Sequence, residues 1–120
     1  MKITFKILLT ICFVLVGNLA FACPSLNLSG GYAEVAIPCT NEGRPDYSQQ
    51  PAVNQADGSG GECRTVPESG LSYLVIGSEL LLVDNVGQGQ HLGVLTDKPS
   101  CYQTDNGGPF YSTWIPIRFE

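Results

Sequence analysis

The stretch Leu71-Ser-Tyr-Leu-Val-Ile-Gly-Ser-Glu-Leu-Leu-Leu-Val-Asp84 decides how this chain folds. Gly77-Ser78 separates two runs rich in apolar residues. A two-residue loop of that kind connects a tight β-hairpin, with Gly77 taking the positive φ that the first corner of a type II′ turn requires. On one side of this hairpin Ile76 then faces Glu79, Leu74 faces Leu81 and Ser72 faces Val83. On the other, Val75 faces Leu80, Tyr73 faces Leu82 and Leu71 faces Asp84. Both sides are apolar near the turn, whereas a sheet wetted on one side alternates apolar with polar residues. The core accounts for one side. Leu74, Ile76, Leu81 and Val83 on the other need a cover, which the segment 38–61, a protein partner, a second copy of the chain or an apolar ligand would each provide.

Working outward from the hairpin, shorter strand signals recur between turn signals. Residues 32–37 alternate, with Ala33, Val35 and Ile37 on the better apolar face. Residues 62–66 carry Cys63, 91–96 place Leu92 and Val94 on one face, and 100–104 carry Cys101. The last segment, 110–119, puts Tyr111, Thr113, Ile115, Ile117 and Phe119 opposite Phe110, Ser112, Trp114, Pro116 and Arg118. Pro116 has no N–H for a ladder, which marks this strand as an edge or as bulged. Between 38 and 61 the composition turns to Pro, Gly, Asn, Gln, Ser and charges, and reads as one long polar loop. No helical period or internal repeat is visible. The expected fold is all-β, a small antiparallel sandwich or partly open barrel of six to seven short strands.

The chain opens with Lys2 and Lys6, an apolar run over 7–16, Gly17-Asn18, and Ala20-Phe21-Ala22 ahead of Cys23. This is the layout of a signal peptide, 1–22, cleaved to leave a single domain over 23–120. The apolar run falls short of the ~20 residues that a spanning helix needs. A secreted or periplasmic location follows, with lipid attachment to Cys23 as the alternative. Four cysteines, 23, 39, 63 and 101, remain after cleavage, an even number suited to two disulfides. Three connectivities are possible; a strand between Cys23 and Cys39 would hold those two apart, and Cys39 with Cys63 and Cys23 with Cys101 are the expected pairs.

Residues 23–120 hold four basic residues against the eleven acidic ones, a net charge of −7. That balance argues against nucleic acid as a partner. His91 is the only histidine, and no Gly-x-Ser-x-Gly elbow accompanies it. Asp84 and Asp97 read as turn residues at strand ends. Neither Asp84-Asn85 nor Asp105-Asn106-Gly107-Gly108 has calcium-loop spacing, and no Cys-x-x-Cys pair suggests zinc. No enzyme activity, metal or cofactor is therefore expected. Asn27-Leu28-Ser29 has the form of an N-glycosylation acceptor and reads as a polar lead-in to the first strand. Tyr102, Tyr111 and Trp114 cluster near the C-terminus, where exposed rings would stack on a glycan or anchor a protein.

Gly30-Gly31-Tyr32 before the first strand and Arg118 on the last resemble the Gly-x-Trp and closing arginine with which lipocalins latch their barrel ends. The resemblance covers four residues, has Tyr in place of Trp and lacks a middle motif. It implies a small carrier of an apolar ligand. The residues themselves point instead to an exported, non-catalytic binding or inhibitor-like module for a protein or glycan, with an envelope structural role as a further alternative. The binding residues expected are Leu74, Ile76, Leu81, Val83, Tyr102, Tyr111 and Trp114, and a homodimer is one form the partner could take.

Overall fold

The hairpin register is observed pair for pair, from Leu71 opposite Asp84 to Ile76 opposite Glu79, and Gly77 turns the chain at a φ of 61°. In this computed structural model, which describes residues 25–57, 60–104 and 107–120, those two runs are β4 and β5 of nine strands. The others are β1 (Ala33–Ala36), β2 (Ala52–Ala56), β3 (Glu62–Thr65), β6 (Gly89–Leu95), β7 (Cys101–Gln103), β8 (Phe110–Ser112) and β9 (Ile115–Phe119), with β4 spanning Leu71–Ile76 and β5 Glu79–Asp84. Seven form one antiparallel sheet in the order β3-β2-β1-β9-β6-β5-β4, while β7 and β8 pair only with each other. The all-β expectation holds. The signal segment 1–22 and Cys23 lie outside the described residues.

The sheet is rolled around a single core. Val35, Val53, Tyr73, Val75, Leu80, Leu92, Leu95, Ile115 and Ile117 belong to one buried cluster. In a flat sheet β2 and β4 would be five strand spacings apart, ~24 Å, yet Val53 and Tyr73 share this core. The roll is not closed, because no backbone ladder joins β3 to β4. Side chains span the seam instead: Thr65 Oγ1 lies 2.8 Å from the Tyr73 hydroxyl, and Gln50 Oε1 accepts from the backbone N–H of Tyr73 at 2.9 Å. Gln50 thus supplies the carbonyl that a neighbouring strand would have supplied to this edge.

Four sequence expectations need correction. First, 38–61 is not one loop. It contains β2, which pairs with β1 and β3. Second, 110–119 divides at Thr113-Trp114 into β8 and β9, and β9 sits between β1 and β6 instead of at an edge. Pro116 is tolerated there because the N and C=O of a strand residue point the same way. Its carbonyl takes the Thr96 N–H and hydroxyl, both at 3.0 Å, beyond the end of β6. The missing N–H therefore falls past the ladder.

Third, Cys39 is joined to Cys101, which excludes both expected pairs. Cys63 lies opposite Gln55, and Gln55 opposite Ala33, so Cys63 is level with a residue six positions before Cys39. At ~3.3 Å per residue that separates them by ~20 Å along the strands. Cys63 is itself not a free thiol. Fourth, Leu92 and Val94 do not share a face. The β5–β6 register shifts between Leu80, opposite Gly93, and Leu81, opposite His91, and this bulge turns Leu92 and Gly93 inward and Val94 outward.

Candidate functional site

The outer face of β4, β5 and β6 is aliphatic. Leu74 and Leu81 are opposite one another, as are Ser72 and Val83, and Val94 stands opposite Glu79. Ile76 is 58% exposed, while Leu74, Leu81, Val83 and Val94 are half-buried. Part of that burial is mutual. Gly89 lies beneath Val83 and Leu81, so that a Cβ there would come within 3.1 Å of Val83 Cγ1 and 3.4 Å of Leu81 Cδ2. At the turn end, His91 Nε2 is 3.2 Å from Glu79 Oε1. Sequence reasoning missed Val94, because regular alternation places it with Leu92. The available signal was Gly93, since glycine inside a strand often marks a bulge or a close approach. A Cβ at Gly93 would sit 2.6 Å from Ile117 Cγ2 and 2.7 Å from the Arg118 carbonyl oxygen.

The aromatic residues fall into two groups. Tyr102 and Tyr111 are directly opposite on β7 and β8, with ring centroids 5.9 Å apart and planes tilted by 37°. Both are about half exposed. Phe110, on the other face of that ribbon, lies against Gly43, where a Cβ would meet its ring at 2.6 Å. Trp114 has a different role. The Arg64 guanidinium carbon is 5.7 Å from its ring centre, a cation–π distance. Because β2 and β1 separate β3 from β9, the two side chains meet only by lying flat across the outer face. The outward positions between them include Ala36 and Ala52, paired with each other, whose small side chains leave the room. Ala36 is only 6% exposed although it points outward.

The same half of the sheet carries a small acidic group. The Tyr32 hydroxyl donates to Glu34 Oε2 at 2.8 Å, and that hydrogen bond raises the Tyr32 pKa. Desolvation, and then the nearby Glu34 carboxylate, raise the Glu62 pKa. Asp84 Oδ1 accepts from the backbone N–H groups of Val86 and Gln88, and Asp97 from that of Lys98, so both carboxylates organise turns. Of the residues that carry the lipocalin resemblance, Tyr32 is bonded to Glu34, and Arg118 Nη2 to Glu120 Oε2 at 3.1 Å. Among the described residues no three His, Cys, Asp or Glu side chains converge as metal ligands would, and no helix is long and apolar enough to cross a membrane. No family model, curated protein or solved structure matches the chain.

Proposed function

We propose that this chain is an exported, non-catalytic binding module whose partner is a protein, engaged through the outward aliphatic face of β4, β5 and β6. The observation that carries the reading is that Leu74, Ile76, Leu81, Val83 and Val94 lie together on the outside of the sheet, with Ile76 58% exposed. A contiguous apolar face of this kind is a usual mark of an interaction surface. An aliphatic face suits a protein better than a glycan, because sugars are held by stacking on exposed aromatic rings. The interior favours a binding face over a carrier with a central ligand, since Leu80, Val35 and Val53 turn inward and are fully buried. The Cys39–Cys101 disulfide is compatible with an oxidising compartment outside the cytoplasm.

The test is capture from culture fluid and envelope extract on immobilised wild type beside Leu81→Glu. A protein held by wild type and lost from the variant is the expected outcome, and identical captured sets sink the reading. Sedimentation of both proteins alone identifies the case in which the partner is a second copy.

A further inference from the structure

We propose that the end of the rolled sheet nearest the N-terminal segment is a binding site for a small, neutral, apolar molecule with one hydrogen-bonding end. The site lies beneath a strap formed by residues 25–30. A buried glutamine ties that strap down. Gln55 points into the core from β2 and is 3% exposed. Its Oε1 accepts from the Asn27 backbone N–H at 2.8 Å, and its Nε2 donates to the Asn27 carbonyl at 2.7 Å. The amide therefore pairs with the strap as another strand would. Release of the strap would leave a buried donor and acceptor unpaired, which is costly. Asn27 Oδ1 in turn accepts from the N–H and hydroxyl of Ser29, and the Gly30 N–H closes a turn onto the Asn27 carbonyl at 3.0 Å. The strap is a built element of the fold.

Beneath it is a pocket of ≈ 280 Å³. Tyr73 and Leu92, only 4% and 3% exposed, reach it from the core. Leu82 and Leu71 line it from the hairpin, and Leu26 and Leu28 from the strap. At the interior packing fraction of ~0.75, this volume accommodates ~210 Å³ of ligand atoms, the bulk of two or three aromatic rings or a short branched chain. The polar lining includes Glu68 and Gln90. Glu68 is the only charged group among the lining residues, so an anionic end is repelled, while a neutral donor finds both a carboxylate and an amide oxygen. A free fatty acid is thereby a poor fit, and an alcohol, amide or arylamine a good one.

This site is separate from the hairpin's outer face, because Leu82 and Leu81 are consecutive on β5 and point to opposite sides. The test uses the disulfide-intact chain and two probes that differ only in a sulfonate, N-phenyl-1-naphthylamine and 1-anilinonaphthalene-8-sulfonate. The expected result is saturable, blue-shifted fluorescence with the neutral probe and affinity weaker by on the order of tenfold for the anion. Glu68→Gln should narrow that gap. Leu28→Asp, at a position already 37% exposed, and Ser25→Trp, which fills the pocket from its rim, should each weaken the neutral probe by on the order of tenfold with far-UV spectrum and Tm retained. Leu81→Glu should bind the neutral probe as wild type does. No saturable binding by wild type, equal affinity for the two probes, or binding lost in Leu81→Glu and kept in Leu28→Asp and Ser25→Trp would overturn the proposal.

Discussion

The two halves of the rolled sheet finish their outer surfaces in opposite ways. Over β1, β2 and β3 the outward positions include Ala36, Ala52, Asn54, Glu62 and Arg64, and the small ones let Trp114 and Arg64 lie across the face. Over β4, β5 and β6 the outward positions include Leu74, Ile76, Leu81, Val83 and Val94, all larger aliphatic side chains. One half is crossed by its own Trp114 and Arg64 side chains, and the other leaves Ile76 58% exposed. Outward side-chain size, and not strand content, separates the two outer faces in this fold.

The sharpest way to break this comparison is within β5 itself. Leu80 is fully buried, and its neighbour Leu81 looks outward. Leu80→Ala should cost about 3 kcal/mol, and Leu81→Ala less than about 1 kcal/mol, in denaturant unfolding. Similar values for the two would remove the distinction between the faces. Next is the junction where β6 meets β9 and the halves join. Gly93→Ala forces a Cβ against the Arg118 carbonyl, for about 2 kcal/mol and a Tm lower by roughly 10 °C. Gly89→Ala presses closest on the movable Val83 and Leu81 side chains, with the Leu82 carbonyl oxygen at an ordinary 3.8 Å, and should shift Tm by a few degrees at most, roughly within 0.5 kcal/mol.

A smaller effect tests the self-covered half. Trp114→Ala removes the Arg64 contact and uncovers Ala36, so a loss of about 1 kcal/mol is expected. If Arg64→Ala costs the same in the Trp114→Ala background as in wild type, the two side chains are not coupled. The smallest effect is electrostatic. The folded pKa of Glu62 is raised above its ordinary 4.5, so between those two values the native state binds more protons than the unfolded one. This group's contribution to stability therefore increases as pH falls through the raised value toward 4.5. Glu62→Gln should flatten that part of a Tm-against-pH curve, and an unchanged curve would show that neither the desolvation of Glu62 nor its pairing with Glu34 is sensed.

Peptide mapping without reduction bears on the covalent frame of both halves. It should recover Cys39 joined to Cys101 and never Cys39 joined to Cys63. The only cross-link then open to the other two cysteines of 23–120 is Cys23 with Cys63. Recovery of that peptide would exclude lipid attachment through the Cys23 thiol.

Much of the hairpin half was legible because its information is local. A two-residue loop fixes every cross-strand pair that follows it, so the order of residues alone groups Leu74, Ile76, Leu81 and Val83 on one side. β2 was not legible. Ala-Val-Asn-Gln-Ala has one strong strand former, and it is a strand because β1 and β3 take its backbone hydrogen bonds and the strap takes the Gln55 amide. Tyr102, Tyr111 and Trp114 are close in sequence, but the division of 110–119 between two sheets gives the tyrosines to a separate ribbon and Trp114 to Arg64.

By itself the sequence determined an all-β fold, the β4–β5 hairpin with its register, and the presence of two apolar faces on it. Periodicity of two and turn chemistry act over a few residues and leave their record in the chain. The roll of the sheet, the β6 bulge that adds Val94 to the outer face, the Cys39–Cys101 link and the strap above the Gln55 amide were decided only by tertiary structure. Each depends on residues tens of positions apart arriving at the same height on neighbouring strands, and no local pattern encodes that height.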